Sequence, residues 1–339
     1  MIEKTKKLTK EQYEKYCKGE IKFCDLLKRL NLTRNELETE FKLLGYKHRR
    51  NVLQETTKHD FFDKIDSECK AYLLGFYLAD GWISNNRLSI GVNENDKEIV
   101  KLFQTAISPF SQIFYLKEKI NTKTNYITKP MYCISIFSKK ICEKLNKYGI
   151  GNNKTFSSNF DFNIIPTELM LHFIRGYFDG DGVVCVTNGV RRLKNKFYPY
   201  TNYNWSILSN RKENVLPIQQ FLLNEYNITS NILNDGRGHY LIEINKKEDF
   251  FNMRDLLYNN ATFFLQRKKD KYYAIKKTPN RKKKIAKYYN GTIVKTFNSL
   301  KEAGKEENMT GSGIRVRIKN KLNVNGYTWA YYDSNTQNQ

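Results

Sequence analysis

The sequence predicts an α+β fold with two pseudo-symmetric halves and a small helix-turn-helix-like module at each end. A ten-residue motif occurs twice, as YLLGFYLADG at 72–81 and as FIRGYFDGDG at 173–182. After each copy, the apolar periodicity indicates strand, strand, helix, strand, strand, helix. Segments rich in Lys and Arg lie outside both repeats. We therefore expect halves of the order αββαββα at 60–158 and 159–276, each an antiparallel sheet covered on one face by helices.

Residues 1–50 are expected to form the first module. Thr9 followed by Gln12 is a capping-box pattern, and Gly45 is a natural end for the last helix. The apolar positions between them have helical spacing: Ile21, Cys24, Leu27, Leu30, Leu37, Phe41 and Leu44. Short helix, turn, helix is typical of DNA-binding modules, although a plain helical bundle gives the same pattern.

The C-terminal region is expected to hold a basic linker, 277–284, and a module, 285–333. The module begins with a strand, an Asn290-Gly291 turn and a second strand, and continues with a helix from Ser299, a basic helix and a closing strand. Phosphate-contacting candidates in both parts are Arg281, Lys282, Lys283, Lys284, Arg315, Arg317 and Lys319. The alternatives are a solvated loop for the linker and a structural cap for the module.

Composition narrows the class of protein. The 339 residues include 58 Lys+Arg against 35 Asp+Glu, a net charge of +23 that favours a polyanionic partner. No apolar run reaches the roughly 20 residues of a membrane helix, and no secretory signal is evident, so we expect a cytoplasmic protein without a membrane partner. The Lys, Asn, Tyr and Ile content suggests an AT-rich genome: a bacterium, a phage-infected cell or an organelle. Six cysteines without C-x-x-C spacing are expected to be reduced, mostly buried thiols.

The repeated motif has the features of a close helix–helix contact. Gly75 and Ala79 lie four residues apart, as do Gly176 and Gly180, so each helix presents small residues on one face. Two such helices side by side would bring their last residues, Asp80 and Asp181, to one place, each followed by a glycine able to adopt a left-handed conformation.

Paired carboxylates at helix C-termini are unfavourable without a compensating cation. They oppose the helix dipoles and repel each other. Asp oxygens and backbone carbonyls suit Mg²⁺ or Mn²⁺, so Asp80 and Asp181, with the carbonyls of Ala79 and Gly180, are the candidate ligands. Beside a basic surface, this set predicts metal-dependent phosphodiester hydrolysis.

At these residues the sequence resembles the single-chain LAGLIDADG homing endonucleases, which carry two motifs. Leu78 departs from the family pattern, whereas Asp179 keeps the earlier acid. The resemblance, over about 60–275, implies a monomer whose two sheets form a saddle on double-stranded DNA, with Asp80 and Asp181 each cutting one strand. The C-terminal module resembles the nuclease-associated modular (NUMOD1-like) DNA-binding domains, more loosely.

Further candidates depend on this resemblance. Lys154 and Lys268 correspond to a basic residue near the family's active site, although each could equally be an ordinary phosphate contact. Asp96 and Asn210, at the end of the second strand of each half, could position water. Some long polar side chains lie on predicted hairpins, where they could contact base edges in the major groove or simply face solvent at the hairpin tips. They are Asn85, Asn86, Arg87, Arg191, Arg192, Lys194 and Lys196.

Two other functions stay open. An RNA maturase would keep the saddle and bind intron RNA, and a transcription regulator could use a disabled nuclease scaffold. The presence of both acids favours the nuclease, since a protein that only binds has no need of two repelling carboxylates. The four scattered histidines argue against a His-Asn-His nuclease.

Overall fold

The computed structural model describes residues 7–121, 126–151, 159–193, 196–277 and 284–332. The chain divides into two compact units, 1–275 and 276–339. No helix in the described ranges has the length and apolar character needed to cross a membrane.

Four short helices open the first unit: α1 (Lys10–Lys18), α2 (Phe23–Leu30), α3 (Arg34–Leu43) and α4 (Arg49–Thr56). The Thr9–Gln12 capping box is formed, and Gly45 has a left-handed φ of +67° just after α3. Leu30 is buried as expected, but Cys24, expected on the same apolar face, is exposed, because α2 buries Leu26 on that face. The expected boundary at residue 50 falls within α4, and the helix-turn-helix assignment stays a prediction.

The first half has the expected order of elements and, in addition, a short β4–β5 hairpin that was not predicted. Its parts are α5 (Glu68–Asp80), β1 (Gly81–Ser84), β2 (Arg87–Asn93), α6 (Lys97–Ile107), β3 (Ile113–Leu116), β4 (Lys119–Asn121), β5 (Tyr126–Thr128), β6 (Met131–Phe137) and α7 (Lys139–Lys147). The sheet has the order β1-β2-β6-β3, and β4 pairs with β5 in a separate hairpin. Asn85 and Asn86 turn the β1–β2 hairpin with φ of +50° and +57°, which suits a type I′ turn.

The second half repeats this arrangement without a described counterpart of the β4–β5 hairpin. It comprises α8 (Met170–Asp181), β7 (Gly182–Leu193), β8 (Lys196–Ser209), α9 (Leu216–Tyr226), β9 (Asn231–Asn234), β10 (Tyr240–Ile244), α10 (Lys247–Tyr258) and the additional α11 (Gln266–Tyr273). The strand order β7-β8-β10-β9 is that of the first sheet. The predicted α+β fold with two αββαββα halves is therefore confirmed.

One apolar core runs through both halves. In each sheet, alternate residues point to the helices and are buried, for example Ile90 and Ile134 in the first and Trp205 and Ile242 in the second. The residues between them lie on the opposite face, which the helices leave uncovered. The register that the sequence could not supply is thus defined by the pairs Ile90↔Ile134 and Ile207↔Ile242.

The second unit follows the predicted order. It contains β11 (Lys284–Tyr289), β12 (Thr292–Phe297), α12 (Leu300–Glu306), α13 (Gly311–Lys319) and β13 (Tyr327–Tyr332), with strand order β12-β11-β13. Asn290 and Gly291 form the hairpin turn, and Ser299 caps α12. A small core of Ile285, Phe297, Ala303, Ile314 and Trp329 holds it together.

All six cysteines are free thiols, but most are not buried. Cys17 and Cys142 are buried, Cys24 is exposed, and the other three are half-buried. The expectation of mostly buried thiols is therefore wrong, since a sequence without disulfide spacing does not say which face of an element a cysteine occupies.

Candidate active site

Helices α5 and α8 touch backbone to backbone at two glycines. A Cβ built on Gly75 would lie 2.0 Å from the carbonyl oxygen of Phe173, and one on Gly176 would lie 2.0 Å from that of Tyr72. Any side chain at either position would push the helices apart. The contact is reciprocal, and Gly180 near the end of α8 lies against Ala79 near the end of α5, so the two helices run in the same direction and their C-termini lie together.

At that end the helices deliver one carboxylate each. Asp80 is the last residue of α5 and Asp181 the last of α8, and both are exposed. A Cβ on Gly180 would lie 2.3 Å from the Cβ of Ala79 and 3.2 Å from Oδ2 of Asp80. The carboxylate of Asp80 therefore lies against the residue that precedes Asp181, at the negative ends of two helix dipoles.

The glycines that follow the acids are extended rather than left-handed. Gly81 has φ −79° and ψ 158°, and Gly182 has φ −74° and ψ 154°. Glycine is needed there for space: a Cβ would lie 2.1 Å from the ring of Tyr77 at Gly81 and 2.1 Å from that of Phe178 at Gly182. The left-handed expectation is wrong because the chain passes directly from each helix into a strand.

Lys268 of α11 is buried beside this pair. Its Nζ donates to the carbonyl oxygen of Phe178 at 3.0 Å and to that of Gly182. Burial lowers the pKa of Lys268 to about 8, while the carboxylates of Asp179, Asp181 and Asp80 favour its charged form. The ammonium group therefore satisfies carbonyls at the C-terminus of α8 and lies in the electrostatic field of both terminal acids.

The buried carboxylate of Asp179 holds the segment that leads into α11. It accepts hydrogen bonds from Tyr258 Oη at 2.6 Å, Tyr72 Oη at 2.9 Å and the N–H of Leu265 at 2.7 Å. Burial raises the pKa of Asp179 to about 6, against the lowering effect of these hydrogen bonds. Because Leu265 immediately precedes α11, Asp179 fixes the start of the helix that carries Lys268.

A second buried group ties the same segment down. The guanidinium of Arg175 donates to the carbonyl oxygens of Phe263 at 2.7 Å and Leu257 at 3.0 Å, and to the carboxylate of Glu68 at 2.6 Å. Oε1 of Glu68 also accepts the N–H of Thr262 at 2.9 Å. Hydrogen bonds with Glu68 of α5 and with Arg175 of α8 therefore hold the loop before α11. They restrict the position of Lys268.

The remaining candidates lie in varied settings. Asp96, at the end of β2, is buried, and its two oxygens accept from Arg267 of α11 at 3.0 and 2.7 Å, so both are occupied by an ion pair. Asn210 is exposed just after β8. Their water-positioning role stays a prediction.

The hairpin candidates are exposed on the first unit. Asn85, Asn86 and Arg87 form one tip, and Arg191 lies over the ring of Tyr200 at 5.9 Å. Arg192 lies over the ring of Phe197 at 5.9 Å. In the second unit, Arg315 and Lys319 are exposed on α13, with Arg317 half-buried and Lys284 exposed at the start of β11. Lys154, Lys194, Arg281, Lys282 and Lys283 lie outside the described residues. The side chain of Lys196 also lies outside the described part of the structure.

A metal ion here would draw on few side chains. Within the described ranges, no three His, Cys, Asp or Glu side chains cluster as a metal site. Two exposed carboxylates and the carbonyls at two helix ends are nevertheless oxygen donors of the kind that Mg²⁺ and Mn²⁺ accept, with water and substrate oxygens completing the shell. The donor set fits a hard divalent cation.

Sequence reasoning missed the groups that hold the site in place. Arg175, Glu68, Tyr72 and Tyr258 were not singled out, although Arg175 and Asp179 stand out as polar residues in an apolar helix. Their spacing of four places both on one side of α8, beside the face of Gly176 and Gly180, and was a usable signal of buried contacts.

One segment of the chain is similar to a known protein family. Residues 168–257, within the second half, match the LAGLIDADG-like domain family. A search of curated proteins gave no match.

Three solved structures show similarity at low identity. The homing endonuclease I-WcaI bound to its DNA recognition sequence is 18% identical, over 64% of this chain and 91% of that one, with a TM-score of 0.41. I-DmoI in complex with DNA and Mn is 15% identical, over 57% and 97%, with a TM-score of 0.36. The N-terminal LAGLIDADG domain of DUF199/WhiA is 14% identical, over 59% and 89%, with a TM-score of 0.34.

Proposed function

We propose that this chain is a monomeric, site-specific endonuclease of the homing type that cuts both strands of duplex DNA with a divalent metal. The observation that carries the proposal is the pair Asp80 and Asp181 at the ends of two helices in backbone contact, with Lys268 buried beside them. The match of 168–257 to the LAGLIDADG-like domain family supports the same function.

The chemistry follows from the donors and charges present. Asp80 and Asp181, with the carbonyls of Ala79 and Gly180, would hold Mg²⁺ or Mn²⁺. When bound, a divalent ion supplies an activated water and offsets the negative charge that develops on a phosphate. Lys268, with a pKa of about 8, is mostly protonated at neutral pH and adds a positive charge next to Asp181. One carboxylate from each half gives one acid for each strand.

The partner follows from charge. A net charge of +23 favours binding to phosphates over the whole molecule. Arg191 and Arg192 on the β7–β8 hairpin and Arg315 and Lys319 on α13 are exposed cations that could contact the phosphates of a duplex. The C-terminal unit would then act as a NUMOD1-like extension that raises affinity by effective concentration.

The test is cleavage of a tiled duplex library from the genome that encodes the chain, with any intron removed. We expect one discrete double-strand break that requires Mg²⁺ or Mn²⁺. Asp80→Asn and Asp181→Asn should each abolish double-strand cutting while preserving DNA binding, and Asp60→Asn, an exposed acid outside the site, should cut as wild type. Wild-type rates in either active-site variant would refute the assignment.

The two alternatives are distinct outcomes of the same experiment. No cutting together with tight, selective binding of a folded intron RNA would identify a maturase. No cutting with sequence-specific duplex binding would identify a regulator on a nuclease-derived scaffold.

A further inference from the structure

A cleft of about 750 Å³ lies between α4 and one end of the first sheet. Its walls come from α4, from the strand ends of β2, β3 and β6, and from the start of α7. The helix is held there by hydrogen bonds: Thr57 Oγ1 to Ser108 Oγ at 2.7 Å, Lys58 N–H to the Ile107 carbonyl at 2.9 Å, and His59 Nδ1 with Ser138 Oγ at 2.8 Å. The cleft is therefore a built part of the first unit, at the opposite end of β1 from Asp80.

The charge of the cleft is positive. Its lining includes Arg49, Arg50, Arg87, Lys139 and Lys140, and it contains no Asp or Glu among the described residues. Arg49 is held by the carbonyls of Cys17 and Phe110, and Lys140 pairs with Asp63 outside the lining. The pair of Lys139 with Glu143 at 3.7 Å is highly exposed and therefore weak. Such a site favours an anion.

Exposed rings and amides lie between these cations. Phe114 and Phe137 are 47% and 59% exposed, on the sheet face that the helices leave uncovered. Arg87 lies 5.8 Å from the ring centre of Phe137. Gln54 and Gln112, which are exposed in the same lining, each offer a hydrogen-bond donor and an acceptor. Aromatic rings between cations are the pattern on which unpaired bases stack while phosphates are neutralised.

We infer that this cleft binds a short run of unpaired nucleotides, with the phosphates at Arg50 and Arg87 and the bases against Phe114 and Phe137. The inference rests on the proposed function in taking the partner to be nucleic acid. Small-ligand sites measure about 300–1,000 Å³, so the cleft suits one or two nucleotides and not an enclosed duplex. Unpaired DNA and unpaired RNA share this chemistry.

The test is fluorescence anisotropy with labelled eight-nucleotide single strands, one DNA and one RNA of the same sequence, and the matching duplex. The full chain carries Asp80→Asn and Asp181→Asn, and metal is omitted, so binding is measured apart from cleavage. Phe114→Ala/Phe137→Ala should weaken single-strand binding roughly tenfold or more and duplex binding less than twofold. Arg50→Ala/Arg87→Ala should weaken single-strand binding by a similar factor. The single strand that binds with the higher affinity shows whether the cleft prefers unpaired DNA or unpaired RNA.

Control variants separate the cleft from general charge and folding. Arg29→Ala/Lys101→Ala removes the same charge from exposed positions outside the lining and should leave single-strand affinity within twofold. Phe114→Tyr/Phe137→Trp keeps the rings and should retain binding. Unchanged single-strand affinity in the alanine ring variant, an equal loss on the duplex, or an equal loss in the charge control would overturn the inference. Failure of the nuclease proposal would appear separately, as absent cleavage by the unsubstituted chain.

Discussion

The two halves share one order of elements but lengthen different hairpins. In the first half β1 and β2 have 4 and 7 residues, whereas the equivalent β7 and β8 have 12 and 14. Conversely, the first half adds β4 and β5 between its last two strands, while β9 and β10 have only 4 and 5 residues. Three helices and the sheet core are common to both halves, so the hairpins are one place where the halves differ.

The helices themselves differ at their polar positions. α8 carries Asp179 where α5 carries Leu78, and only the second half has the described α11 with its buried lysine. The match to the LAGLIDADG-like domain family also falls in the second half. The glycine contact is therefore symmetric, whereas the hydrogen bonds and the lysine that support the site belong to the second half.

The largest expected effect is a loss of stability at the glycine contact between α5 and α8. Gly75→Val and Gly176→Val should each cost roughly 4 kcal/mol or more of unfolding free energy, because a side chain would meet a backbone carbonyl in either half. Chemical denaturation measures both losses. Gly313→Ala in α13, where the nearest atom is the flexible Met309 side chain at 3.3 Å, should be neutral or stabilising by up to about 1 kcal/mol. Clearly unequal losses at Gly75 and Gly176 would contradict the symmetry.

The next effect tests the asymmetry of the site. Lys268→Met should lower cutting of one strand by about 10²- to 10³-fold, since it removes the positive charge next to Asp181. A supercoiled plasmid carrying the target would then accumulate in the nicked form. Lys271→Met, at an exposed position in α11, should cut both strands normally. Equal loss on both strands would show that Lys268 serves both halves.

A smaller effect is expected on the pH dependence of stability, through Asp179, which has no acidic counterpart in the first half. The folded-state pKa of Asp179, about 6, lies above its ordinary value, so the folded chain binds this proton more tightly than the unfolded chain does. Wild type should therefore lose stability relative to Asp179→Asn as the pH rises from 4 through 6, on the order of 2 kcal/mol in total. Thermal melts of both proteins across pH 4–8 measure this. If the stability difference between wild type and Asp179→Asn did not change with pH, burial would not raise the pKa of Asp179.

The smallest effect concerns the long hairpin. Arg191→Ala/Arg192→Ala should weaken duplex binding about equally for all sequences and reduce the slope of log affinity against log salt by about two. Titrations at several salt concentrations measure that slope. Glu225→Gln, an exposed change at the end of α9, serves as the control. A change in target preference instead would mean that these arginines read bases.

The repeat made much of this structure predictable from sequence. Two copies of one motif predicted two equivalent halves, and small residues four apart predicted the face on which α5 and α8 meet. Turn and cap residues located the elements of the C-terminal unit, since Asn-Gly and Ser299 act through local backbone geometry.

Other features depend on contacts that local patterns do not encode. The bond from Arg175 to Glu68 joins residues far apart in the chain, and Asp96 meets Arg267 across the two halves. The glycines after the motifs were assigned a left-handed turn because that is their common local use, whereas ring packing is what requires them. Strand register decides which hairpin residues share a face, and it follows from tertiary pairing.

The polar contacts between α5 and α8 do not obey the symmetry of the glycine contact. Arg175 and Asp179 project from α8 onto Glu68 and Tyr72 of α5, but the positions equivalent to these four on the other helix are Leu74, Leu78, Leu169 and Phe173. If two copies of α8 met through their glycines, each would bury an arginine and an aspartate without these partners, at a cost of several kcal/mol. Pairing α5 with α8 is thus favoured over the pairing of two copies of α8 through this face.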